Sequence, residues 1–195
     1  MKTDAKNGEL GVQLAALRAI SEEARRTFGS LSAAQLNWQP GADEWSVGQC
    51  FEHLIKTNRS FFPTLEQIAR GERRGRTWER VSPFSGFFGR MVLKSLAPES
   101  PRKFKAPRGL RPSSSAVDAA VVEQFAGQQG ELAELMKATA NLDLQRTVVT
   151  SPISGFVTYS LLDAFRIVVM HERRHFAQAL RVTEAEGFPR EAVKV

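Results

Sequence analysis

Cysteine occurs once in this 195-residue chain, at Cys50. One thiol cannot close an internal disulfide, and without a Cys pair there is neither a zinc ribbon nor a CxxC redox motif. Long hydrophobic runs are missing too. No stretch approaches the roughly 18 apolar residues of a membrane span, and the longest candidate, Leu161 to Met170, is interrupted by Asp163 and Arg166. The opening residues MKTDAKNGELGVQ lack the apolar centre of a signal peptide. These absences lead us to expect a soluble, cytoplasmic protein with no membrane partner. Histidine is scarce, with three in the chain: His53, His171 and His175.

Acidic residues are outnumbered, giving a net charge of +6 and a pI of 9.9, and the surplus is local. Between Arg70 and Arg111 there are 12 Lys/Arg against three Glu, a local +9 that leaves the rest of the chain at −3. Five of the nine prolines fall between residues 71 and 112. No helix-turn-helix, RNP or zinc-finger pattern accompanies this basic stretch, so it reads as a solvated loop or a face for an anionic small molecule, not for nucleic acid.

What is present is helical periodicity. Leu10, Leu14, Leu17, Ile20, Ala24 and Phe28 recur at steps of three and four, the apolar stripe of an amphipathic helix ending at Gly29. Ser32 and Gln35 form a capping-box pattern for a short helical turn before the loop Asn37 to Gly41. Ser46 and Gln49 repeat that pattern ahead of a second long helix bearing Val47, Cys50, Leu54, Phe61, Leu65 and Ile68, with Trp45 placed to staple over Cys50 and Pro63 expected to kink or divide it. Phe84 to Leu96 has the pattern of a short amphipathic helix closing one end of the core. A third long helix is expected from Ser113–Ser115 to about Ala140, with Val117, Val121, Phe125, Leu132, Leu135 and Met136 inward. After a turn at Ser151 to Gly155, the fourth begins near Thr158 or Ser160 and stops before Gly187. With no alternating strand pattern, these elements predict an all-α fold, a four-helix bundle spanning residues 1–195 as one domain with the basic connection at about 71–112.

His171 and His175 are four residues apart on the fourth helix, so both imidazoles leave one face, one turn apart. Their spelling, His-Glu-Arg-Arg-His, matches the zinc-protease motif. Such enzymes need a third ligand downstream, and none follows His175 in a suitable place, which removes Glu172 from the role of protease base. His53 sits inside the second helix. Imidazole is a common ligand for zinc, nickel and iron, and bundles build metal sites from facing helices; packing histidines on helices are the alternative.

Several spaced features resemble the DinB-like superfamily. They are Leu36-Asn-Trp38-Gln-Pro40, Glu44-Trp45-Ser46-Val-Gly-Gln49 leading to Glu52-His53-Leu54, Lys103-Phe104-Lys105-Ala-Pro107, Pro152 to Gly155, and His171-Glu-x-x-His175-x-x-Gln178, in order along nearly the whole chain. The resemblance implies a DinB/YfiT-like four-helix bundle in which His53, His171 and His175 hold a divalent metal of the zinc, nickel or iron class with an open coordination face. It also implies a small-molecule substrate and a metal-dependent enzyme. Relatives include S-transferases using low-molecular-weight thiols such as bacillithiol, mycothiol or glutathione, and hydrolases. Metal-bound water or thiolate would be the nucleophile. Glu172 and Gln178 would orient imidazole N–H groups; their other reading is a solvated Glu and a packing Gln. Beside the enzyme stands a non-catalytic metal-binding or dimerising helical module, with a role in stress. Bundle faces also allow a homodimer.

Overall fold

The computed structural model describes residues 2–72, 85–96, 106–113 and 116–190. Among them lie helices α1 (Lys2–Phe28), α2 (Ala33–Asn37), α3 (Val47–Ala69), α4 (Ser85–Leu96), α5 (Val121–Lys137) and α6 (Leu161–Glu184), a 3-10 turn at Arg108–Leu110, and strands β1 (Val148–Thr150) and β2 (Thr158–Ser160). Half of the basic stretch, residues 73–84 and 97–105, lies outside the described residues, Lys103, Phe104 and Lys105 included. So do Ser114 and Ser115, at the expected start of the third long helix. No described helix is long and apolar enough to cross a membrane.

The helix starts follow from their caps. Ser32 and Ser46 each accept the N–H of the residue three further on, and Gln35 and Gln49 reach back to the cap N–H. Ser160 caps α6 through the Asp163 N–H, so the preceding residues Thr158–Ser160 remain extended and pair antiparallel with Val148–Thr150. This hairpin is absent from the sequence reading because two three-residue strands are too short to display a period of two.

Pro63 does not divide α3, which runs continuously from Val47 to Ala69. The proline is on the exposed side, where the carbonyl it leaves unpaired one turn back can meet water. The helix expected from Ser113 begins at Val121 instead. Asn37 accounts for the delay: its side chain accepts the Val117 N–H at 2.7 Å and donates to the Val117 carbonyl at 3.0 Å, holding Val117 in an extended approach. Val117 is still buried, packed where α3 has Gly48, and a Cβ on Gly48 would meet the Leu36 carbonyl oxygen at 3.0 Å and Val117 at 3.1 Å.

α1 packs against α5 and α6, and α3 does the same; α4 lies on α6 and β2. Their apolar faces form one cluster. At its centre each long helix supplies a phenylalanine: Phe28 meets Phe51 at 5.3 Å and Phe176 at 5.2 Å, and Phe51 meets Phe125 at 5.2 Å, all edge-on. Edge-on contacts of this kind add about 0.5–1.5 kcal/mol per pair beyond area burial.

Beside this apolar centre sits an ionisable residue shielded from solvent. Glu172 is 0% exposed, and its Oε1 accepts from Asn58 Nδ2 at 2.8 Å and Gln129 Nε2 at 2.9 Å. Those two amides, from α3 and α5, clasp α6. Burial pushes the Glu172 carboxyl up to about 8, against the pull of the two donated hydrogen bonds. The folded state therefore holds a proton that the unfolded chain releases at ordinary carboxylate pH, and stability from this group falls as pH rises from about 4.5 to about 8. Glu172→Gln mimics the protonated acid. In metal-free protein, denaturant unfolding should show the variant gaining on the wild type across that interval and levelling above it. A pH-independent difference would contradict the burial effect.

Candidate metal centre

α3 and α6 face each other so that His53 meets His171 and His175. A potential ligand atom on each ring lies within 4.8 Å of the others, and His53 Nε2 is 3.2 Å from His171 Nε2. His53 and His175 are buried and His171 is half-buried.

Two of the rings are fixed by what their other nitrogen touches. His53 Nδ1 is 2.6 Å from the Leu110 carbonyl oxygen. His175 Nδ1 is 2.9 Å from Gln178 Oε1, one turn on. A carbonyl oxygen can only accept, so in each ring Nδ1 carries the proton and Nε2 keeps its lone pair. His171 Nδ1 is buried with no partner.

The Leu110 carbonyl arrives by a route invisible in the sequence. The segment around the 3-10 turn is laid along α3 by residues spaced one turn apart. Gln49 Nε2 donates to the Ser113 carbonyl at 3.0 Å, the Glu52 carboxylate takes the Ser113 N–H at 2.7 Å, and Lys56 reaches the Arg111 carbonyl at 3.2 Å. Lys56 also pairs with Glu52 at 2.9 Å. Trp45, packed against the core as expected of a staple, also lies against the cluster, 4.9 Å from the His53 ring and stacked at 5.5 Å and 21° on His175. Glu172, one residue from His171, points between α3 and α5 to Asn58 and Gln129.

The environment keeps all three rings neutral. Burial lowers the His53 pKa, with a smaller push from Lys56. Burial takes His171 well below the ordinary value, helped by His175, His53 and Arg174. For His175, burial and then His53 bring it to about 3. Neutral imidazole is the metal-binding form. Three nitrogen donors, two of them oriented by hydrogen bonds, fit a divalent transition ion.

The cluster opens on a cleft of about 1440 Å³ whose walls include Trp45, Thr57, Phe61, Leu96, Arg174 and Arg181. The β1–β2 hairpin forms part of its rim through Ser151 and Ile153. Cys50 is fully buried with its thiol pushed up to about 12, so it cannot serve as a nucleophile here. Burial likewise pushes the Tyr159 hydroxyl up to about 12.

A family model described as the DinB superfamily matches residues 16–179. The chain belongs to the DinB superfamily. The match runs from α1 through His175 and Gln178 on α6. No curated protein and no solved structure matches. For this DinB member, the three histidines placed together can hold a metal ion.

Depressed imidazole pKa values have a thermodynamic consequence. The unfolded chain takes up protons first, so the stability these rings contribute is complete above pH 6.5 and is lost as pH falls below it, towards about 3 for His175. In chelator-treated protein the melting temperature of the wild type should drop more steeply between pH 6.5 and 4.5 than that of His175→Phe, whose flat ring can still stack on Trp45. Parallel slopes would contradict a neutral, buried His175.

Proposed function

We propose that this protein is a divalent-metal-dependent enzyme on a DinB/YfiT-like four-helix bundle, acting on a small molecule by thiol transfer or hydrolysis, with His53, His171 and His175 as the metal ligands. The observation that carries the reading is a cluster of three neutral imidazoles, ligand atoms within 4.8 Å, at the wall of a large cleft. A bound divalent ion supplies Lewis acidity, lowering the pKa of water towards about 7 or holding a thiol as thiolate.

The chain's own part is orientation and access. Leu110 and Gln178 hold His53 and His175 with Nε2 unprotonated. Trp45 stacks on the His175 ring and leans against His53, which limits how far either ring can turn. Arg174 and Arg181, on the cleft wall, favour an anionic substrate or cofactor such as a low-molecular-weight thiol with its carboxylate. A structural metal module is the second reading, and the burial of His53 and His175 favours it. A closed structural site calls for four protein ligands; among the described residues the cluster holds three histidines and adjoins a cleft, which favours the catalytic reading.

Protein purified and analysed for metals should carry about one divalent ion per chain, and His171→Ala should lose it. Equal metal content in both would remove the centre. Thiol consumption against a panel of electrophiles, run beside ester and amide hydrolysis with and without chelator, assigns the reaction. Metal-independent rates in every assay would leave the structural reading.

A further inference from the structure

Six buried side-chain polar atoms have no hydrogen-bond partner among the described residues, and three of them belong to residues that line the cleft: Thr57 Oγ1, Asn58 Oδ1 and His171 Nδ1. An unpaired buried polar atom destabilises the fold, and each one calls for an explanation. Thr57 is the most telling. It is 4% exposed, and four residues after His53 it stands on the same face of α3, one turn and about 6 Å along the axis. A threonine in mid-helix commonly returns its hydroxyl to the carbonyl four residues back. Thr57 Oγ1 makes no such bond.

Beyond Thr57 the cleft wall becomes apolar. Phe61 follows one turn later on α3, and Ile167 and Val168 precede His171 by one turn on α6. The order along this wall is therefore imidazoles, then Thr57 with its unsatisfied hydroxyl, then hydrocarbon.

We propose that Thr57 is a substrate-binding residue whose hydroxyl accepts a hydrogen bond from an N–H or O–H group next to the metal-facing atom of the substrate, with the apolar part of the substrate against Phe61, Ile167 and Val168. This rests on the metal-enzyme reading and adds to it a substrate class: molecules with a donor beside the reacting centre and an apolar body beyond. Simple apolar electrophiles with no donor are the class it disfavours, because they leave the Thr57 hydroxyl unpaired where a donor-bearing molecule pairs it.

Cobalt-loaded protein and two probes test this. Benzohydroxamate binds metals through its two oxygens and carries an N–H beside them; N-methylbenzohydroxamate lacks that N–H. Affinities are read from the cobalt absorption spectrum. The wild type should prefer the N–H probe, Thr57→Val should lower that preference about five- to tenfold, and Thr57→Ser should restore it. Thr57→Val should also melt at an equal or higher temperature, since it removes an unpaired polar atom. An unchanged preference in Thr57→Val would overturn the assignment and leave the hydroxyl to a bound water. A marked loss of melting temperature would overturn it as well, by showing a structural partner. Failure of the wild type to take up cobalt through its histidines defeats the underlying metal reading and the inference with it; normal uptake with no N–H preference defeats the inference alone.

Discussion

Taking three imidazoles out of water is the constraint around which this molecule is arranged. A buried ring must be neutral, and a neutral ring needs an acceptor for its one proton. His53 and His175 find theirs in the Leu110 carbonyl and Gln178. The first requires a stretch of chain brought alongside α3 with its carbonyls turned inward, and Gln49, Glu52 and Lys56 do that by gripping residues 111 and 113. Loss of any one grip would loosen an imidazole more than it would loosen the core.

The second requirement is rotational. His171 and His175 face α3 and the cleft only if α6 is turned to a particular angle about its axis. Glu172 helps set it. Rotating α6 away from His53 would draw the Glu172 carboxyl off Asn58 and Gln129 in a solvent-shielded interior, where an unpaired polar group is costly. An apolar residue at 172 would pack but would tolerate slippage. A buried polar clasp trades some stability for one orientation, a use of buried polar groups with precedent in helical assemblies.

Much of this was legible from residue patterns. The capping boxes at Ser32 and Ser46, the stripe on α1 and the i, i+4 histidines reported their own geometry, because each signal is local to one helix. The pairing of His53 with a helix more than a hundred residues away was carried by family resemblance, since no spacing rule links two helices. What stayed hidden acts through the main chain or across the fold. The Leu110 carbonyl has no side-chain signature, and Asn37 delays α5 by bonding a residue 80 positions on. The hairpin strands are too brief to show alternation. Thr57, Asn58, Gln128 and Gln129 were visible as polar residues on inward helix faces, and that mismatch was the available clue to the clasp.

Residues 110–113 are pinned to α3 through His53, Gln49, Glu52 and Lys56, and the three histidines sit on α3 and α6. The wall built by α4, including Val92 and Leu96 in the cleft, is held separately, by packing on α6 and β2. Substitution on the cleft side of α4 leaves the three histidines and the acceptors of His53 and His175 in place. The architecture thus separates the histidine cluster from one wall of its cleft, so that the shape of the cleft can change without rebuilding the cluster.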